Sequence, residues 1–221
     1  MFIDRLHRRP AASPLITHYD AAAGTRVELS GHTFTNWVDK TANLLEDLGV
    51  DPGETIHLEL LTSAPGHWVT AVWVAGCWQR GCVLAAAPGG EAVAVVGPDS
   101  PTRGPITVMC SLHPLGLALP APVPDCVDFA EVLVQPDARV VEPVAPEDIA
   151  WLPDITHAQV AQTASSQSRR LFADPRPGWA TVQQLLIAPM LGGGSTVVAT
   201  GASQQRLDEI ATQEHAMFTK L

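Results

Sequence analysis

Apolar residues recur along this chain with two different periods, and the changes of period mark its elements. Leu15, Ile16 and Tyr19 and then Val27 and Leu29 lie in two short strand-like runs with Gly24 between them, which predicts a hairpin. Phe34, Trp37, Val38, Thr41, Leu44, Leu45 and Leu48 then fall on one face of a helix over residues 34–48. Thr33 or Thr35 would cap its start, and Gly49 stands where a left-handed residue ends a helix. Asp39, Lys40, Asn43, Glu46 and Asp47 form its polar face. Residues 55–61 alternate as a strand. A second helix is expected over 64–79, with Trp68, Ala71, Val72, Ala75 and Trp78 as its inner stripe, and a further strand over 82–87. Strand, helix, strand, helix, strand in succession predicts an α/β fold with a mixed or mostly parallel sheet flanked by helices.

Farther on, apolar strands are expected at 92–96 and 106–110. A Pro-rich crossover at about 112–146 contains one short element near 129–134. A weakly amphipathic helix is expected over 156–172 and a stronger one over 179–191, stopped by Gly192, Gly193 and Gly194. A strand at 196–200 and a helix capped by Ser203 complete the order. No fixed-period repeat interrupts it, so residues 1–221 read as a single domain.

Composition narrows the function classes. Apolar residues make up 46% of the chain and charged ones 16%, enough to bury a substantial core and to argue against disorder. A net charge of −10 argues against nucleic-acid binding, which needs a basic face. The apolar run at 69–87 is broken by Gln79, Arg80 and Gly81, so it reads as helix, turn and strand and not as a membrane span. The N-terminal segment has no apolar core run of the kind a secretory signal carries, and a cytoplasmic location is the expectation. Cys77, Cys82, Cys110 and Cys126 form no C-x-x-C pair and read as reduced, mostly buried thiols. Chemistry through a lysine has two candidates, Lys40 and Lys220, neither attractive. The eight histidines show no metal-ligand spacing, and no metal or cofactor is expected.

One stretch carries a stronger signal. Asp39-Lys40-Thr41-Ala42-Asn43-Leu44-Leu45 followed by Leu48-Gly49-Val50-Asp51-Pro52-Gly53-Glu54 resembles the opening of the adenylate-forming enzymes: acyl-CoA synthetases, peptide-synthetase adenylation domains and luciferases. The likeness spans residues 27–88. It resumes at Glu147-Asp148-Ile149-Ala150-Trp151, similar to the strand before that family's phosphate loop, and at Thr156-His157, similar to the Thr-His pair after that loop. It closes with Pro189-Met190-Leu191 and the glycines that lead into Thr196-Val197-Val198. The chain also resembles a small actinobacterial group of shorter relatives of these enzymes. The resemblance implies the N-terminal half of an acyl-CoA-synthetase-like domain.

What separates the chain from that family is a gap. Between Trp151 and Thr156 stand only Leu152, Pro153, Asp154 and Ile155, where the family carries a loop rich in Gly, Ser and Thr and ending in Lys. Such a loop holds nucleotide phosphates with backbone N–H groups and a cation. Asp174-Pro175-Arg176-Pro177-Gly178 stands where the family borders its acyl pocket with an aromatic-His pair, and the distal nucleotide motifs and the catalytic lysine domain have no counterpart here. No catalytic residue of the family carries over, so adenylation is expected to be absent.

Two functional expectations remain. One is a non-catalytic interaction or regulatory protein. The other is a binder of a small molecule, a nucleotide or an acyl- or CoA-like ligand, in a remnant cleft near Ser63, His67, Thr156 and His157. Each of these four has a plainer reading as a helix cap or first-turn residue, with His157 exposed. Gly192-Gly193-Gly194-Ser195-Thr196 comes after a helix and precedes a strand, so it reads as a helix stop and not as a phosphate loop. Val182, Leu185, Leu186, Ile187, Met190 and Leu191 lie within one short helix. They suggest an apolar face left uncovered and hence a homodimer or another protein partner.

Overall fold

The computed structural model describes residues 2–139 and 141–219. A short helix α1 (Phe2–His7) leads into the hairpin β1 (Pro14–Asp20) and β2 (Thr25–Ser30), paired antiparallel about Gly24 as the sequence predicts. Helix α2 runs Gly31–Asp47. Its cap is Ser30, whose Oγ accepts the Thr33 N–H at 3.2 Å, so the helix starts earlier than a Thr33 or Thr35 cap would have it. Its end is as expected, with Gly49 at φ +77°. Next come β3 (Thr55–Leu58), a turn of helix α3 (Leu60–Ser63), α4 (Trp68–Gln79), β4 (Val83–Ala85), β5 (Val93–Val96), β6 (Ile106–Met109) and β7 (Val127–Asp128). A 3-10 helix (Phe129–Val134) leads on to β8 (Ile149–Trp151), β9 (Ile155–Thr156), α5 (His157–Ala161) and β10 (Arg169–Ala173). The chain continues through α6 (Trp179–Val182), a π turn (Gln183–Ile187), α7 (Ala188–Gly192), β11 (Ser195–Thr200), α8 (Gln204–Gln213) and β12 (Met217–Phe218).

The strands form two sheets. The first has the order β12-β10-β11-β1-β2, parallel except for β2. The second has the order β7-β6-β5-β3-β4-β8-β9, parallel except for β9. Helices α2 and α4 pack on each other; α2 touches the first sheet and α4 touches both. One core cluster therefore runs from Leu15 and Ile16 of the first sheet through Phe34, Leu45, Val72 and Trp73 to Ile56, Val93 and Val108 of the second. Sandwiched this way, α4 is buried on every side except at Ala71, so the single stripe read from its sequence is too narrow. The two helices approach most closely at Gly76. A Cβ there would lie 2.8 Å from the Thr41 side chain.

Four local expectations change. Residues 60–61 belong to α3 and not to the strand. The helix expected over 156–172 is only α5, because residues 169–173 instead form β10, hydrogen-bonded between β11 and β12. Asp39 is buried, with the Gln79 side-chain amide donating to it and His7 Nε2 at 3.7 Å. The helix near 182–191 hides its apolar residues: Val182, Leu185, Leu186, Ile187 and Met190 are all buried. The uncovered face that motivated a partner is thus covered by the chain itself, α7 packing on α1 and on β11.

The Pro-rich crossover does run over the surface, as a strap across the polar face of α2. Lys40 Nζ donates to the carbonyls of Leu133 (3.3 Å) and Gln135 and pairs with Asp137 at 2.8 Å. Asn43 Nδ2 donates to Pro136 O at 3.1 Å, and Arg139 bonds Asn43, Glu46 and Glu142. These bonds commit Lys40 to structure, and Lys220 lies outside the described residues. Among the described residues no helix is long and apolar enough to cross a membrane.

Candidate functional site

The four residues singled out from the sequence occupy two places. Ser63 and His67 line a cleft of about 360 Å³ at the C-terminal ends of β1, β11 and β10, where open α/β sheets present loops to ligands. His157 lines a different cavity of about 210 Å³, walled by Phe2, Trp78 and Glu142. Thr156 caps α5: its Oγ1 accepts the Gln159 N–H (3.3 Å) while Gln159 Oε1 accepts the Thr156 N–H (2.7 Å). His157 is 5% exposed, not surface-lying as a first-turn residue would be, and its ring packs edge-on to Trp78. Burial lowers its pKa, with Asp148 opposing.

In the cleft, the bend after α3 places His67 as the cap of α4. Its Nδ1 accepts the Val69 N–H at 3.2 Å. Burial, followed by the neighbouring His18, pushes its pKa down to about 3. With Nδ1 engaged as an acceptor and the charged form disfavoured, the imidazole suits a wall better than a proton carrier. Ser63 is exposed at the rim, its hydroxyl 3.4 Å from the Glu59 carbonyl.

His18 is the residue the sequence did not reveal. It lies in β1 between the backbones of Val27 and Val198, 5% exposed, with its ring centroid 4.7 Å from that of His67. Its side chain makes no hydrogen bond among the described residues, and burial lowers its pKa against the pull of Asp20. Asp20 and Asp174 complete the cleft. Each uses Oδ1 for local backbone: Asp20 for Ala22 and Ala23 (2.9 Å each), Asp174 for Gly201 (2.7 Å). No Lys or Arg lines it among the described residues.

The place of the phosphate loop is filled by a tight hairpin. Ile149 pairs with Thr156 and Trp151 with Ile155, leaving a three-residue turn. The N–H groups beyond it are already committed. Thr156 donates to Gln159 Oε1, His157 to Asp148 O (3.0 Å), Ala158 to Pro146 O (2.8 Å) and Gln159 to Thr156 Oγ1. The glycines at 192–194 end α7, with Gly193 left-handed at φ +76°, and form no phosphate cradle.

No family model matches the chain. A Mycobacterium tuberculosis protein, named by a family designation with no activity in its name, is 29% identical over 235 residues, 99% of this chain and 91% of its own length. An acyl-CoA synthetase of Brucella canis superposes with a TM-score of 0.74 at 14% identity, over 99% of this chain and 47% of its own. This chain has the fold of the N-terminal half of an acyl-CoA synthetase. An anthranilate CoA ligase solved with anthranoyl-AMP (TM-score 0.71, 18% identity, 97% of this chain and 48% of that one) and a benzoate CoA ligase of Burkholderia xenovorans (0.68, 16%, 97% and 48%) agree. The chain spans about half the length of these synthetases. The synthetase-like fold bears out the likeness first carried by residues 39–54 and by the Trp151–Thr156 frame.

Proposed function

We propose that this synthetase-like domain binds a small molecule in the His18–His67 cleft and does not form acyl-adenylates. The observation that carries the second half is the committed set of N–H groups from Thr156 to Gln159. A phosphate would have to displace those bonds and would find no lysine beside them among the described residues. Each charge-assisted bond forgone is worth about 1.5–3 kcal/mol. Four of them amount to about 6–12 kcal/mol, enough to abolish productive nucleotide binding. The cleft supports the first half: it is concave, lies where parallel strands end, and holds a buried imidazole with no protein partner among the described residues.

Pyrophosphate exchange with a panel of carboxylic acids tests the absence of adenylation. Exchange that co-purifies with the protein and disappears on its removal would overturn it. Thermal shift with a metabolite panel tests binding, since a ligand of the folded state stabilises by RT ln(1 + [L]/Kd).

Self-association is the second reading. The observation that favours it is the edge strand β12, which leaves Met217 (56%) and Phe218 (43%) exposed at the side of the first sheet. Exposed apolar edge strands invite pairing with a second copy. Light scattering at micromolar concentration should then give twice the mass of 23.5 kDa, and a monomer mass that persists with concentration would remove this reading.

A further inference from the structure

The cleft presents acceptors and almost no donors. Asp20 ends β1, Thr200 ends β11 and Asp174 comes directly after β10, and these three strands are adjacent in the order β10-β11-β1. The two carboxylates therefore flank Thr200, two strand spacings or about 10 Å apart along the rim. Each has one oxygen held by backbone N–H groups and a second, Oδ2, with no partner among the described residues. The Thr200 hydroxyl donates inward, to Tyr19 O at 3.3 Å. At the floor stands His18, nine-tenths buried, bordering the cavity and without a hydrogen bond of its own among the described residues. Its ring nitrogens are not sealed from solvent, and the cleft is the side from which a partner can reach them. The Arg176 guanidinium borders a separate depression that shares only Asp174 with this one.

Resting on the ligand-binding reading above, we propose that the ligand of this cleft is an organic ammonium and not a carboxylate, nucleotide or CoA-like anion. Its N–H groups would donate to the free oxygen of one carboxylate, that of Asp20 or of Asp174, with the other adding longer-range attraction, and His18 would supply a further polar contact. An anion placed there would face two carboxylates with no compensating cation, a repulsion that selects against it as strongly as the carboxylates select for a cation. Behind the rim the wall turns apolar: Ile16, Val74, Leu186 and Val198 line a small recess of about 20 Å³ that shares His67 with the cleft.

The test uses the full chain and three probes of similar shape: 2-phenylethylammonium, 2-phenylethanol and 3-phenylpropionate, with AMP as a fourth. Ring signals of His18 and His67 are followed by NMR at millimolar probe. Saturable shifts of His18 with the ammonium, and none with 3-phenylpropionate or AMP, are expected. Asp20→Asn and Asp174→Asn should both weaken the ammonium, the one whose carboxylate it contacts by about tenfold or more, the loss expected for one charge-assisted bond. Both variants keep the Oδ1 that holds the local backbone, and asparagine accepts the left-handed φ of +42° at position 174, so the fold should survive. Saturation by 3-phenylpropionate or AMP at the same signals would overturn the ammonium assignment and leave the ligand-binding reading standing. No shift of His18 with any probe would overturn both. Equal ammonium affinity in the double Asn variant would mean diffuse attraction to a chain of net charge −10, and would also overturn the assignment.

Discussion

Replacing Glu214 by glutamine removes the hub of a charged network that fastens the end of α8 to the first sheet. Glu214 is 5% exposed. It accepts the Tyr19 hydroxyl at 2.5 Å, Arg26 Nε at 2.9 Å and Nη2 at 2.8 Å, and Arg169 Nη2 at 2.7 Å. The two arginines share a second anchor, Glu28, at 2.7 and 3.0 Å. Removing one partner of a buried ion pair costs about 3–5 kcal/mol. The arginine side chains are 40% and 22% exposed, so water recovers part of that loss and the expected cost is about 2–4 kcal/mol. For a chain of this length that is roughly 5–15 °C in Tm. A urea melt at pH 7 measures it. Tyr19 supplies a second readout, because it is the chain's one tyrosine. Burial, and then the hydrogen bond to Glu214, raise its pKa above 10.0. Absorbance titration should therefore find the phenol ionising late in the wild type and earlier in Glu214→Gln, with the part due to burial retained. A loss below about 0.5 kcal/mol would refute the reasoning, since Glu28 and water would then satisfy both arginines unaided.

The remaining predictions concern the core, the histidines and the thiols. Trp73→Ala should cost about 3–5 kcal/mol because the ring is wholly buried, and Trp37→Ala roughly half as much because that ring is only half-buried against Trp68 and Phe129; equal losses would mean the helical layer is packed differently. His18 and His67 have folded pKa values below 6.5, so the unfolded chain binds more protons: their contribution is full above pH 6.5 and is lost as pH falls below it. Melts from pH 8 to 5 should show declining stability, less so in His67→Gln, and a flat profile would contradict the assigned burial. Under native conditions an alkylating reagent should modify Cys126 first, because Cys77, Cys82 and Cys110 are buried and burial raises all three thiols, Cys82 to about 12. Modification of Cys110 before unfolding would contradict that.

How far the sequence reaches is visible element by element. Helix α2, the hairpin, the glycine stop at Gly193 and the 3-10 turn at Phe129–Val134 depend on spacing and capping within a few residues, and those were legible. The strand β10 was not, because Arg169–Ala173 has no alternation of its own and becomes a strand by pairing with β11 and β12. Nor was the division into two sheets, since periodicity reports which face of an element is buried and not which strand lies beside it. Asp39 shows the same limit in a helix. Its helical position is polar, and Gln79 of α4 and His7 of α1, both distant in sequence, are what meet it when it turns inward. The candidate site divides along the same line. Ser63 and His67 were marked because they lie after a strand and before a helix, a local signal. His18 and Asp174 carry no such signal. They meet His67 only because β1 lies beside β11, a strand some 180 residues later in the chain. Thr156 and His157 point to the converse lesson. Their order along the chain resembles the synthetase frame, but the three-residue turn between β8 and β9 closes on its own N–H groups, so a likeness of sequence carried no likeness of contacts.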